Sequence, residues 1–204
     1  ELLNRYHLKA TFNINTQLQP AKDTFWIENT HVDHLSIDEM ISLYRGHEVA
    51  SHSQTHPDLT KLTDQALIEE IRGDANTIQL RFDKQPFGFV YPFGTYNDSV
   101  VDYLKRAGFR YARTVESNYR FDLQTDLLRF QPTCHHNDPK LSNLIDEFLV
   151  SQPTKPMILY IWGHSYEFDV DNNWDHIESI FKRLANRPEL YYGTNEDVLL
   201  IEGK

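Results

Sequence analysis

Short apolar runs recur along the chain at Ala10 to Ile14, His47 to Ser51, Gly88 to Tyr91, Arg110 to Val115, Leu127 to Gln131, Met157 to Trp162 and Leu190 to Gly193, and their length and composition predict strands. Between them lie segments of helical period, at Ile37 to Tyr44, Asp64 to Phe82, Asp98 to Ala107, Leu141 to Leu149 and Trp174 to Leu184. Two show the cause plainly: Leu67, Ile71, Ala75 and Ile78 recur at three- and four-residue steps, as do Val100, Val101, Leu104 and Ala107, so each helix needs a sheet to pack on. Asp64 is expected to cap the first and Gly108 to end the second. Trp174, Ile177, Ile180, Phe181 and Leu184 form a similar apolar stripe. Strands alternating with helices predict an α/β fold with a mainly parallel sheet, and about seven parallel strands fit an irregular (β/α) barrel. There is no internal repeat, linker or low-complexity tract, so residues 1–204 are expected to form a single domain.

Charge and cysteine content narrow the function classes. A formal net charge of -10 repels a polyanion, and the only basic pairs of note, Lys105-Arg106 and Lys182-Arg183, sit on amphipathic segments, so no nucleic-acid partner is expected. Cys134 is the only cysteine, which excludes an intrachain disulfide framework and a cysteine-based zinc cluster. No apolar run approaches the roughly 18 to 20 residues of a membrane span. The opening Glu-Leu-Leu-Asn-Arg-Tyr lacks a signal-peptide pattern, does not begin with Met and reads as the last turns of a helix, so the chain is expected to continue upstream.

Three stretches can carry chemistry. Gly46 to Pro57 runs from a strand into a turn that holds His52 and His56, four residues apart. On one side of a helical turn, both imidazoles can reach one zinc-like ion at about 2.0–2.1 Å. A chain with this histidine content produces roughly 0.5 such pairs by chance, so the spacing alone also fits a plain surface turn. Phe87 to Asn97 is an aromatic strand ending in a Pro and Gly turn, which either closes a core strand or aims backbone N–H groups at a developing oxyanion. Ile158 to Phe168 is an apolar strand that stops at Gly163 and presents His164, a structural histidine or a general acid. The segment Thr133 to Asp138, which follows a strand candidate, carries His135 and His136 and can line a substrate cleft or add a metal contact; adjacent histidines normally point apart, so at most one is expected to do so. Glu167 and Asp169 can orient His164 or face solvent.

Together these stretches resemble the polysaccharide deacetylase family, which includes chitin, peptidoglycan and poly-N-acetylglucosamine deacetylases and acetyl-xylan esterases. The resemblance rests on Ser51-His52-Ser53-Gln54-Thr55-His56-Pro57 with the preceding Gly46-His47-Glu48, on Tyr91-Pro92-Phe93-Gly94, and on Trp162-Gly163-His164. It implies that His52 and His56 bind a divalent metal, most often zinc, that the Phe93 backbone helps hold the oxyanion, and that His164 is the general acid. Substrate contacts are expected from Tyr91, Pro92, Tyr96 and Trp162, whereas Trp174, which could also stack on a sugar ring, is expected to pack in the core with its stripe. The implied partner is an acetylated glycan, N- or O-acetylated, and the implied location is extracellular or the cell envelope, with the cytoplasm as the alternative.

Two departures qualify the transfer. Val90 stands where many members carry an arginine two residues before the turn proline, which makes Arg113 the arginine expected to orient a catalytic aspartate. The family's Asp-Asp pair, general base and third metal ligand on the first strand, has no counterpart here, because no Asp-Asp dipeptide occurs. A chain shortened at its start, a partner chain that completes the site, or a noncatalytic carbohydrate-binding relative all fit, and the first is favoured by the uncapped opening. A first strand missing from the barrel leaves strand edges that invite a homo-oligomer. A metal-dependent hydrolase of a small cyclic amide is the remaining alternative.

Overall fold

In a computed structural model, residues 1–201 are described, and the elements run in the order α1 (Leu2–Arg5), β1 (Thr11–Ile14), β2 (Phe25–Ile27), β3 (Thr30–Val32), α2 (Ile37–Leu43), β4 (Glu48–Ser51), α3 (Asp64–Phe82), β5 (Gly88–Val90), α4 (Asp98–Arg106), β6 (Tyr111–Arg113), β7 (Cys134–His135), α5 (Leu141–Val150), β8 (Ile161–Trp162), α6 (Glu167–Val170), α7 (Trp174–Leu184) and α8 (Asn195–Leu199). Strands β1, β4, β5 and β6 pair in that order, all parallel, with Thr11 beside Glu48, Ser51 beside Phe89 and Gly88 beside Tyr111. β7 and β8 pair in parallel as a second sheet. The segment from Phe130 to His135 joins the two. Phe130 forms a parallel bridge to Arg113 on one side, while Cys134 and His135 pair with Ile161 and Trp162 on the other. The result is an α/β arrangement of parallel strands in two linked sheets.

Two predicted strands are corrected. Leu127 to Arg129 form a 3₁₀ turn, and the pairing begins at Phe130; Leu190 to Gly193 take no regular structure. β7, which was not among the predicted strands, brings the named parallel strands to six among the described residues, one fewer than the seven the sequence suggested. The antiparallel hairpin of β2 and β3, with Trp26 opposite His31, was not anticipated. Its strands are short and its connecting Glu28-Asn29 is a weak turn signal.

The helices cover the sheet as their periodicity requires. Leu67, Ile71 and Ala75 of α3 and Val100, Val101 and Leu104 of α4 bury against Phe89, Tyr91 and Ala112. Ile78 continues the α3 stripe onto Ile14 and Met40, while α5 and α7 bury Leu141, Leu144, Ile145, Ile177 and Ile180 beside Cys134. Thr63, not Asp64, caps α3, because its hydroxyl accepts the Ala66 N–H; an N-cap residue needs the extended backbone that Thr63 has. Gly108, with φ +94°, follows the end of α4 as expected. At the amino ends of the strands the buried Glu48 carboxylate accepts from Thr11 Oγ1 (2.8 Å), Tyr111 OH (2.7 Å) and the Glu196 N–H at the start of α8 (2.9 Å). This ties β1, β4 and β6 to the last helix. It also leaves the carboxyl ends of the strands, where α/β proteins keep their sites, as the open face.

Ile71 is fully buried at the centre of the α3 interface, so Ile71→Ala is expected to lower the unfolding free energy by about 3 kcal/mol, measured by urea denaturation with an unchanged m-value.

Candidate metal and acid–base site

The end of β4 passes into the segment that carries the histidine pair. The segment is not a helical turn, as the spacing had suggested. Ser53 and His56 both adopt left-handed backbone, at φ 66° and 60°, and no helix is formed there. Non-glycine residues hold this conformation only where the surroundings enforce it. Those surroundings are α3 on one side and the loop after β1 on the other. The fully buried Asp74 carboxylate accepts from Ser51 Oγ (2.6 Å), the Thr16 N–H (2.9 Å) and the His52 N–H (3.3 Å). One turn earlier, Glu70 takes the Thr55 N–H and hydroxyl, and its carbonyl takes the Gln54 N–H. Asn15 Nδ2 donates to the carbonyls of His52 (2.6 Å) and Ser53 (3.0 Å).

These restraints bring the rings of His52 and His56 to 4.6 Å between centroids. His52 Nδ1 lies 2.8 Å from the Val90 carbonyl, which accepts only from an N–H, so Nδ1 carries the proton and Nε2 keeps its lone pair. Burial, then the neighbouring His56, pushes His52 down to about 3, and burial followed by His164 lowers His56. Both imidazoles are thus favoured as neutral rings, the form that ligates metal. The pair fits a divalent cation as two nitrogen donors. Among the described residues no third histidine, cysteine or carboxylate joins them.

Beside them, β5 ends in the turn Pro92–Gly94, with Phe93 at φ 58° and Gly94 at φ 72°. Gly94 and Thr95 N–H groups close this turn on Tyr91 and Pro92 carbonyls, and proline has no N–H, which leaves that of Phe93 as the donor of the turn. The Phe93 ring is exposed and meets His56 edge-on at 4.6 Å. Tyr91 and Pro92 are buried: Tyr91 donates its hydroxyl to the Leu128 carbonyl and stacks on Tyr96, which packs against the same core. Their side chains therefore shape the turn from behind and do not line the cleft as predicted. Trp174 departs from its predicted core role; it is 45% exposed, donates Nε1–H to Asp169 (2.8 Å) and contacts Phe168.

The third part is organised around Glu167. Its Oε1 faces His164 Nδ1 at 3.2 Å. Its Oε2 takes the His164 backbone N–H at 2.8 Å, His136 Nε2 at 2.7 Å and His135 Nε2 at 3.1 Å. Burial alone pushes this carboxyl up, but the hydrogen bonds from His135, His136 and His164 outweigh it and hold Glu167 well below the usual carboxylate range. Both adjacent histidines reach one carboxylate because β7 ends at His135, so the alternation of a strand no longer applies to His136. Tyr166 stacks on His164 and meets Phe25 of the hairpin edge-on at 5.6 Å, so β2 covers this loop. Arg113 is buried, donates to the Thr114 carbonyl and lies 4.3 Å from the centroid of the Trp162 ring, which stands between it and His135. It pairs with no carboxylate among the described residues, so the aspartate it was expected to orient is not part of this arrangement.

A family model described as polysaccharide deacetylase matches residues 1–112, which is more than half of the chain and includes His52, His56 and the Tyr91–Gly94 turn. The chain belongs to the polysaccharide deacetylase family. Over 88 residues it is 31% identical to a chitooligosaccharide deacetylase from Rhizobium leguminosarum bv. trifolii, covering 43% of this chain and 40% of that protein. Over 87 residues it is 30% identical to the uncharacterized protein YlxY of Bacillus subtilis (strain 168), covering 42% of this chain and 27% of the relative. The match therefore spans less than half the length of either curated relative. Among solved structures, the peptidoglycan N-acetylglucosamine deacetylase Bc1960 superposes with a TM-score of 0.57 at 14% identity, over 98% of this chain and 79% of that one. Streptococcus pyogenes deacetylase PplD gives 0.54 at 21% identity, over 63% and 54%. A CE4 family pseudoenzyme from Bacillus anthracis, BA3943, gives 0.53 at 15% identity, over 97% and 58%. At these identities the likeness is one of fold, and it includes a pseudoenzyme, so activity in this deacetylase-family chain has to be argued from its site.

The role of Asp74 was missed in the sequence, although it falls, with Glu70, at a helical step inside the Leu67, Ile71, Ala75 and Ile78 stripe; Glu167 was read only as a partner for His164, and the convergence of His135 and His136 on it is tertiary and left no signal.

Burial raises Asp74 to about 7, with its hydrogen bonds only partly offsetting the cost. A raised carboxyl favours the fold while protonated, and this contribution is lost as pH climbs from the unfolded value of 3.8 through about 7. The depressed His52 acts in the opposite sense below its ordinary value of 6.5. Metal-free wild type therefore shows partial cancellation. The stability difference between wild type and Asp74→Asn is expected to shrink, by a few kcal/mol at about 1.4 kcal/mol per unit, between about pH 4 and 7 and to stay level above that, as read from urea melts across pH.

Proposed function

We propose that this chain carries the metal-anchoring and acid-supplying parts of a hydrolase that removes acetyl groups from N- or O-acetylated polysaccharide. The observation that carries the reading is the arrangement of His52 Nε2 and the His56 ring beside the Phe93 turn, close enough to His164 for its charge to lower both histidines.

On this reading His52 and His56 hold a divalent cation, which the family resemblance implies is zinc and which imidazole donors suit along with other first-row ions. When bound, such an ion polarises the acyl carbonyl and lowers the pKa of water. The chain's own residues do the rest. The Phe93 N–H donates to the oxygen that becomes negative as the carbonyl is attacked. His164 gives a proton to the leaving amine or alkoxide. Glu167 accepts from His164 Nδ1–H, which turns Nε2 outward as the atom that carries and delivers that proton; as an ionised carboxylate it also stabilises the imidazolium. The general base and the third protein ligand that the family resemblance implies, an acidic pair, have no counterpart among residues 1–204. An acetylated glycan as substrate favours an extracellular or envelope location. The likeness to BA3943 and the two-histidine anchor favour a second reading, a noncatalytic carbohydrate-binding relative.

Acetate release from N-acetylglucosamine oligomers by the protein with its upstream sequence and added zinc tests both. Activity is expected to vanish with chelator and with His52→Ala, and kcat is expected to fall about 10²–10⁴-fold in His164→Ala. Glycan binding that persists in chelator, with no acetate released, supports the noncatalytic reading and overturns the first.

A further inference from the structure

We propose that His135, His136 and Glu167 form a second cation site, separate from the His52 and His56 pair, that takes a first-row divalent ion such as zinc or cobalt. One ligand atom from each of the three lies within 4.8 Å of the others. Two imidazole nitrogens and a carboxylate oxygen are a borderline donor set, suited to zinc, cobalt or nickel and not to calcium or magnesium, which take oxygen ligands.

The local structure holds these donors together. After β7 the His136 N–H bonds the Trp162 carbonyl at 2.8 Å, which keeps the chain against β8 and sets the two successive rings 4.4 Å apart. His136 is 2% exposed, its Nδ1 has no partner and its Nε2 is aimed at Glu167. Gly163 makes room for it: a Cβ there would fall 1.9 Å from His136 Cδ2. Phe168 covers the same ring, and His176 donates to the His136 carbonyl at 2.8 Å, so the position is walled and fixed from behind. The cation takes the place of the Nε2 protons that His135 and His136 now present to Glu167 Oε2, and each ring then carries its proton on Nδ1. His135 gives up the Asn137 N–H that this atom accepts at 3.2 Å, and the His136 Nδ1, which has no partner in either state, holds an unpaired N–H in place of an unpaired lone pair. Oε1 remains directed at His164, so the carboxylate bridges the ion and that histidine.

The site does not depend on the deacetylase reading, and its test does not use acetate release. The double variant His52→Ala, His56→Ala removes the first pair, and cobalt(II) added to the chelator-stripped protein reports the second through its visible absorption and by equilibrium dialysis. One equivalent is expected to bind. Adding Glu167→Gln or His135→Ala to that background is expected to weaken binding by about 100-fold, with circular dichroism confirming the fold. An X-ray absorption spectrum of the loaded double variant gives a second readout, in which two imidazoles in the ligand shell are expected. A double variant that binds no cobalt, affinity unchanged by both added substitutions, or an all-oxygen shell without imidazole overturns the proposal.

Discussion

The buried carboxylate of Asp74 is the contact on which the site's geometry depends. It sits in the apolar stripe of α3, where a charged group is costly, and it offsets part of that cost by accepting from β4 at Ser51 and His52 and from the loop after β1 at Thr16. Three elements are thereby held at one point. With the end of β4 fixed, the left-handed backbone at Ser53 and His56 follows from the grip of Glu70 and Asn15 on the residues between. The histidine pair is therefore shaped by the scaffold itself.

Electrostatics at the carboxyl ends of the strands follow from the same burial. Desolvation lowers both His52 and His56, helped at His52 by the neighbouring His56 and at His56 by His164, whereas Arg113, also buried and lowered by desolvation, keeps its charge as a guanidinium does and rests on Trp162. Glu167 is the carboxylate that remains ionised nearby, and His164 and two further histidines share it. The site therefore combines neutral imidazole nitrogens, a buried guanidinium and a histidine with a defined carboxylate partner.

The sequence made the motifs legible because they are local. The helices at Asp64–Phe82 and Trp174–Leu184 appear within the predicted ranges, since a 3.6-residue stripe is a property of the segment itself. What was lost is what depends on distant partners. Leu127 to Arg129 is apolar enough for a strand, but the neighbouring strand β6 ends at Arg113 and meets Phe130 instead, so the pairing starts later than composition suggests. The four-residue histidine spacing predicted a helical turn because period says nothing of the left-handed residues that make the two rings converge. Adjacent His135 and His136 were expected to diverge, and they converge because the strand stops between them. Tyr91 belongs to the matched motif, yet its ring serves the core, which shows that a motif residue can support a site through its backbone alone.

The tautomer of His52 tests the account most directly, since the preformed anchor requires its proton on Nδ1 and a free lone pair on Nε2. Long-range 15N–1H correlation spectra of the metal-free protein, recorded from about pH 5 to 8, read this atom by atom. The account predicts a neutral ring with Nδ1 protonated throughout that range; a ring protonated on both nitrogens near pH 6, or one carrying its proton on Nε2, would contradict it.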